Sequence, residues 1–167
     1  MTVVGTHRDD ASLTLRFVAE FDAGVARVWE VWRDPRQLER WWGPPTWPAT
    51  FTQHDFRVGG RSRYHLTGPG GGTSHGWWSI TAIEAPHRLE FDDGFADEDG
   101  EPVGEPTHTV VTLEAVGART RMTTVTKFAS IEQLERVLAA GAEGAMRRAM
   151  DQIDALLAVT DVEGHRR

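Results

Sequence analysis

Residues 130–158 read SIEQLERVLAAGAEGAMRRAMDQIDALLA. Ser130 is a favoured helix N-cap, and Gln133 follows three residues later, as in a capping box. From there Ile131, Leu134, Leu138, Ala142, Ala145, Ala149, Ile153 and Leu156 recur at three- and four-residue steps, predicting one amphipathic helix to about residue 158. At roughly 1.5 Å per residue it would span about 43 Å, long enough to cross a small domain. Its middle is poor in bulk: Ala139, Ala140, Gly141, Ala142, Gly144, Ala145 and Ala149 are all small. Glycine inside a helix costs about 0.5–1 kcal/mol relative to alanine. The small stretch therefore implies either close approach of a neighbouring sheet or room for a ligand.

The rest of the chain supplies that sheet. Residues 12–21, SLTLRFVAEF, alternate with Leu13, Leu15, Phe17, Ala19 and Phe21 on one face, which predicts a first strand. Val25, Val28, Trp29 and Trp32 follow at helical spacing, and Pro35 both ends that helix and suits the first turn of a second, PRQLERWW. From about 49 to 128, turn residues punctuate short alternating runs, giving strands near 49–57, 60–67, 75–84, 87–92, 107–115 and 119–128. The acidic stretch at 92–106 reads as a solvated hairpin loop. The order predicts an α+β domain over 12–158, with flexible ends at 1–11 and 159–167. One long helix covers only one face of an antiparallel sheet, so the sheet is expected to curl around it and leave a concavity.

Composition bounds the function. The chain has 167 residues, 40% hydrophobic and 26% charged, with 25 acidic against 18 basic side chains and a net charge of -7. That is a globular profile, and it argues against nucleic acid, whose phosphates call for clustered cations. Cysteine is absent, which removes disulfides, thiol nucleophiles and cysteine-ligated zinc and fits a cytoplasmic location. No apolar run approaches the roughly 20 residues of a membrane span, and MTVVGTHRDD at the N-terminus reaches acidic residues before any run of signal-peptide length, so neither secretion nor membrane insertion is expected. No membrane partner is expected.

Motifs with chemistry are scarce. The seven histidines, including His54, His65, His75 and His108 on strands, form no HxxxH or HExxH pair, so no metal and no metal cofactor is expected. Asp97, Asp99 and Gly100 match part of a calcium loop, but Phe95 and Pro106 stand where the first and last ligands belong. The glycines at 68–72 lack the Lys-Ser/Thr of a phosphate loop. No GxSxG nucleophile motif exists, and no catalytic residue is assigned.

Four stretches in order carry a family resemblance: RVWEVWRDPRQLERWWGP at 27–44, DFRVGG at 55–60, GWWSITAIEAPHRLEF at 76–91 and GAEGAMRRAMDQIDALLA at 141–158. Together they resemble the START-like, helix-grip superfamily known as SRPBCC, in the branch similar to the C-terminal domain of the activator of the heat-shock-protein-90 ATPase. The resemblance implies a curved antiparallel sheet gripping one long C-terminal helix, two short helices after the first strand, and an apolar ligand between sheet and helix.

On that architecture, strand parity turns Ser62, Tyr64 and Leu66 inward, and the expected walls are these with Trp78, Ile80, Phe91, Val111, Leu113, Met122 and Thr124 from strands and Gly141, Ala145 and Ala149 from the helix. Trp42 and Trp47 are expected at the entrance, while Trp29, Trp32 and Trp41 read as packing. The function expected is binding of a small apolar or aromatic molecule, lipid or polyketide-like, without cofactor. A cofactor-independent cyclase or aromatase using the same pocket is the alternative, marked by a buried ionisable pair in it. A chaperone-associated role rests on the resemblance alone. The eukaryotic activator uses an additional N-terminal domain for which this chain has no room, so a chaperone partner is not expected. A homodimer stays open.

Overall fold

A computed structural model describes residues 3–165, and the side chains of residues 5–158. The elements run β1 (Val3–Asp9), β2 (Thr14–Phe21), α1 (Val25–Arg33), α2 (Pro35–Leu38), β3 (Ala49–His54), β4 (Arg61–Thr67), β5 (Thr73–Glu84), β6 (Arg88–Ala96), β7 (Pro102–Val116), β8 (Arg119–Lys127), α3 (Ile131–Ala139) and α4 (Ala142–His165). All eight strands form one sheet in the order β1-β2-β8-β7-β6-β5-β4-β3, and every neighbouring pair is antiparallel. The α+β helix-grip architecture expected from the sequence is present.

Local chemistry explains most of the boundaries. Asp34 closes α1 and caps α2, its carboxylate accepting from the Arg36 amide at 2.9 Å, with Pro35 at the first helical position. α1 turns Val28, Trp29, Val31 and Trp32 into the core. The Ser130 hydroxyl caps α3 by accepting from the Gln133 backbone amide at 3.1 Å, and the side-chain Oε1 of Gln133 accepts from the Ala129 amide at 2.7 Å. This is the reciprocal arrangement expected of a capping box, shifted back by one residue.

Three expectations are corrected. The single helix from 130 is two: Gly141 adopts φ +86°, a left-handed conformation that ends α3, and its carbonyl then accepts the Ala145 amide to start α4. The N-terminal residues taken as flexible include an edge strand, β1, which pairs with β2 and is pinned by Arg147 on α4 donating to Thr6 at 2.8 Å. The two short helices consequently follow the second strand. The supposed loop at 92–106 is mostly strand: Phe95 pairs with Val103, and only 97–101 turns, with Asp97 accepting the amides of Asp99 and Glu101, each at 2.9 Å. The tail expected at 159–167 falls outside the described residues at 166–167 and outside the described side chains before that.

The core fills one end of the grip. Trp32 meets Trp41 edge-on with ring centres 4.7 Å apart, and Trp78 stacks on Phe91 at 4.0 Å. α4 adds Met150, Ile153, Leu156 and Leu157, all buried. Each such side chain stabilises the fold by about 1.5–3 kcal/mol. Gln152 ties α4 to the Trp-Trp-Gly-Pro turn by donating to the Gly43 carbonyl at 2.7 Å.

Candidate functional site

At the other end of the grip the packing stops short and leaves a cavity of about 460 Å³. Its sheet side is built from Leu15 and Phe17 of β2, Tyr64 and Leu66 of β4, Asp93 of β6, Thr107 and Thr109 of β7, and Thr124 and Thr126 of β8. Ala142, Ala145, Met146, Ala149 and Met150 of α4 close it from above, joined by Gln133, Arg136 and Val137 of α3. Trp32, Trp42 and Pro44 form the inner end, and Phe95, Val103 and Glu105 lie at the rim. Phe95 is 68% exposed and Val103 52%, so the rim presents apolar surface to solvent.

Of the residues expected at the site, Trp42, Tyr64, Leu66, Thr124, Ala145 and Ala149 line this space. Trp78, Ile80, Phe91, Val111, Leu113 and Met122 face the same interior but sit in the packed core, each at most 3% exposed. Parity alone picks out a face, and the tryptophans of α1 and the following turn fill that face at one end. Ser62 is also inward and buried, yet it serves a histidine: His54 donates from Nε2 to the Trp32 carbonyl at 3.0 Å, which leaves Nδ1 to accept from the Ser62 hydroxyl at 2.7 Å. Burial pushes the His54 pKa down, so the ring stays neutral. Gly141 is exposed and acts through its backbone.

The two tryptophans expected at the entrance part company. Trp47 is exposed and covers Gly68, where an added Cβ would come within 2.5 Å of its ring, so it is a clamp on the β3 and β4 ends. Trp42 stands inside, edge-on to Trp78 at 5.0 Å and to Tyr64 at 6.1 Å. Trp41 is fully buried with its indole N–H donating to the Val31 carbonyl at 2.9 Å, in keeping with packing.

Tyr64 owes its position to Gly76 on the paired strand, since a Cβ there would lie 2.3 Å from the phenol oxygen. Burial raises the Tyr64 pKa far above its usual value, and the nearby Asp93 charge adds to the effect, so the phenol is a neutral hydrogen-bonding group.

Asp93 was not anticipated. It shares its face of β6 with Phe91, and Thr107 Oγ1 donates to its Oδ1 at 2.8 Å, with Thr109 Oγ1 farther off at 3.4 Å. Surrounding protein desolvates the carboxyl and raises its pKa from 3.8 to about 7, against the pull of the two threonine hydrogen bonds. Among the described residues it has no ion-pair partner, and no hydrogen bond to Oδ2 is formed. A solvated loop over 92–106 gives an aspartate there no reason to face inward, whereas the β6 strand does. Alternation of Phe91, Asp93 and Phe95 was the available signal. Gln133, read only as a cap, also donates to the Glu105 carbonyl at 2.8 Å and so fixes α3 over the rim.

His108 sits between Asp92 at 2.7 Å and Glu90 at 3.1 Å, and these carboxylates hold its pKa above the ordinary value despite partial burial. Among the described residues no group of three His, Asp or Glu is placed to hold a metal ion. Nor is any helix among them long and apolar enough to cross a membrane.

Comparison with known proteins agrees with this architecture. A protein from Arthrobacter aurescens solved by NMR is 56% identical, with a TM-score of 0.91 over 94% of this chain and 92% of its own. Protein Ms6760 from Mycobacterium smegmatis is 47% identical, with a TM-score of 0.88 over 95% of this chain and 99% of its own. The AHSA1 protein SPO3351 from Silicibacter pomeroyi shares the fold at 21% identity and a TM-score of 0.72, over 88% of this chain and 99% of its own. No curated protein matches the chain. The profile of the family described as Activator of Hsp90 ATPase homolog 1-like protein matches residues 22–158, and the chain belongs to that family.

Proposed function

We propose that this protein binds a small apolar or aromatic molecule in the cavity between its sheet and its C-terminal helices. The observation that carries the reading is the cavity itself. Its volume of about 460 Å³ falls within the roughly 300–1,000 Å³ of small-molecule sites. Protein interiors otherwise pack densely, and empty space lined by Phe17, Trp42 and Met146 is costly unless something fills it. The small residues Ala142, Ala145 and Ala149 keep α4 from filling it. Titration with N-phenyl-1-naphthylamine, a neutral fluorescent probe, is expected to show saturable binding with quenching of tryptophan emission. Ala145→Trp places an indole in the space and should abolish that binding. Unchanged binding in a folded A145W variant would overturn the reading.

Acid–base catalysis on a bound ring is a second reading, favoured by one observation. Asp93, with a pKa near 7, can give or take a proton at neutral pH, and Tyr64 stands close enough to feel its charge. Proton exchange at the carbon next to a carbonyl, in a ketone probe such as 2-tetralone in deuterated water, should then be accelerated by the protein and lost in Asp93→Asn. Equal exchange in both proteins would exclude it.

A further inference from the structure

Building on the cavity as a binding site, we infer that Asp93 is the counter-ion for a cationic group, so that the molecule held here is a hydrophobic amine. Four observations converge on this class of ligand.

First, Asp93 is a half-buried carboxyl on the cavity wall, beside threonines and aromatic rings, with no cation paired to it among the described residues. Buried carboxylates are ordinarily paired, because desolvation of a lone charge is expensive. Arg136, the arginine that lines the cavity, is exposed at its rim, and among the described residues no cation forms an ion pair with Asp93. Second, half of the carboxyl is already spoken for and half is open. Thr107 and Thr109 engage Oδ1, whereas among the described residues Oδ2 has no donor, which leaves an acceptor for a group entering from the cavity.

Third, aromatic rings in the same cavity suit a cation. Trp42 and Tyr64 line the same space, and an ammonium close to such ring faces gains about 0.5–2 kcal/mol, most when it is desolvated. Fourth, charge at the mouth does not oppose entry. Glu105 and Arg136 at the rim carry opposite signs, both are exposed and therefore screened, and the molecule as a whole carries -7. A primary amine on a ring system of naphthalene size would place its ammonium at Asp93 Oδ2 and its hydrocarbon against Phe17, Met146 and Ala149. A ligand carboxylate in the same place would meet like charge.

The test uses three probes of one shape on the intact protein at pH 8: 1-naphthylmethylamine, 1-naphthylmethanol and 1-methylnaphthalene, each titrated by tryptophan quenching. The amine is expected to bind at least about tenfold more tightly than either neutral probe. Asp93→Asn keeps an oxygen for Thr107 and removes the charge, and in it the ratio of amine to hydrocarbon affinity should fall by about tenfold. Equal binding of amine and alcohol in the wild-type protein would overturn the inference in favour of a neutral donor, with no variant needed. A ratio unchanged in D93N would overturn it as well. If the hydrocarbon binds and the amine does not, the cavity reading stands and the counter-ion falls. If none of the three binds, the cavity reading fails and takes the inference with it.

Discussion

At the scale of single residues, Asp93 has the largest consequence. Its carboxyl is raised from 3.8 to about 7 by burial, so between those values the folded protein holds a proton that the unfolded chain has released. The folded state thus binds more protons in this window, and stability falls as pH rises from about 4 to about 7, then levels off. At about 1.4 kcal/mol per unit the full effect is at most about 4 kcal/mol, reduced by whatever water enters the cavity. Asp93→Asn removes this dependence. The difference in melting temperature between D93N and the wild type is expected to grow in favour of D93N from pH 4 to pH 8, measured in parallel melts. His54, whose depressed pKa also makes stability pH-dependent, is common to both proteins and cancels. A difference that stays flat with pH would show that Asp93 is not desolvated.

Gly76 makes a second residue-level test. Gly76→Ala sets a methyl 2.3 Å from the Tyr64 hydroxyl, so the phenol must move into the cavity or the strands must part. Such overpacking costs about 1–3 kcal/mol, to be read from chemical denaturation. A variant as stable as the wild type would mean that Tyr64 has another place to go.

At the scale of elements, the break between α3 and α4 shapes the site. The helical periodicity of 131–156 continues across the break, which is why the sequence predicts one helix. The apolar repeat reports which face is buried and is blind to one residue at positive φ. In the sequence Gly141 is one small residue among several, and its conformational role resides in the backbone. Gly141→Ala would put a Cβ on a backbone at φ +86°, costing about 1 kcal/mol or more in a position otherwise open to solvent. Loss of the Ser130 cap in Ser130→Ala should cost about 1 kcal/mol too. Denaturant midpoints check both, and a Gly141→Ala protein at least as stable as wild type would argue for one continuous helix.

The β6–β7 hairpin gives the complementary lesson. Most strands were legible from alternation and turn residues, as were the two helices before β3. The rim strands were not, because 92–106 is rich in Asp, Glu, Gly and Pro, a composition that ordinarily marks a loop. Here Phe95 opposite Val103 and the turn around Asp97 hold the ladder together. The polar end of the cavity was therefore invisible, while Tyr64, Leu66, Thr124, Ala145 and Ala149 followed from parity and small size. Trp78, Phe91 and Met122 satisfy the same parity, and only three-dimensional packing separates a filled end from an open one.

At the scale of the whole molecule, the eight-stranded sheet and α4 grip a core at one end and empty space at the other. Tryptophans near the start of the domain decide which end is which: Trp32, Trp41 and Trp42 enter from α1 and the Gly43–Pro45 turn, and Gln152 locks that turn to α4. The division predicts where a ligand acts. In an amide NMR titration with N-phenyl-1-naphthylamine, shifts are expected at Phe17, Tyr64, Asp93, Thr109, Ala145 and Ala149, with little change at Leu89, Val111 and Ile153 in the filled end. Shifts confined to the outer face of the sheet, or none at saturating probe, would contradict the account.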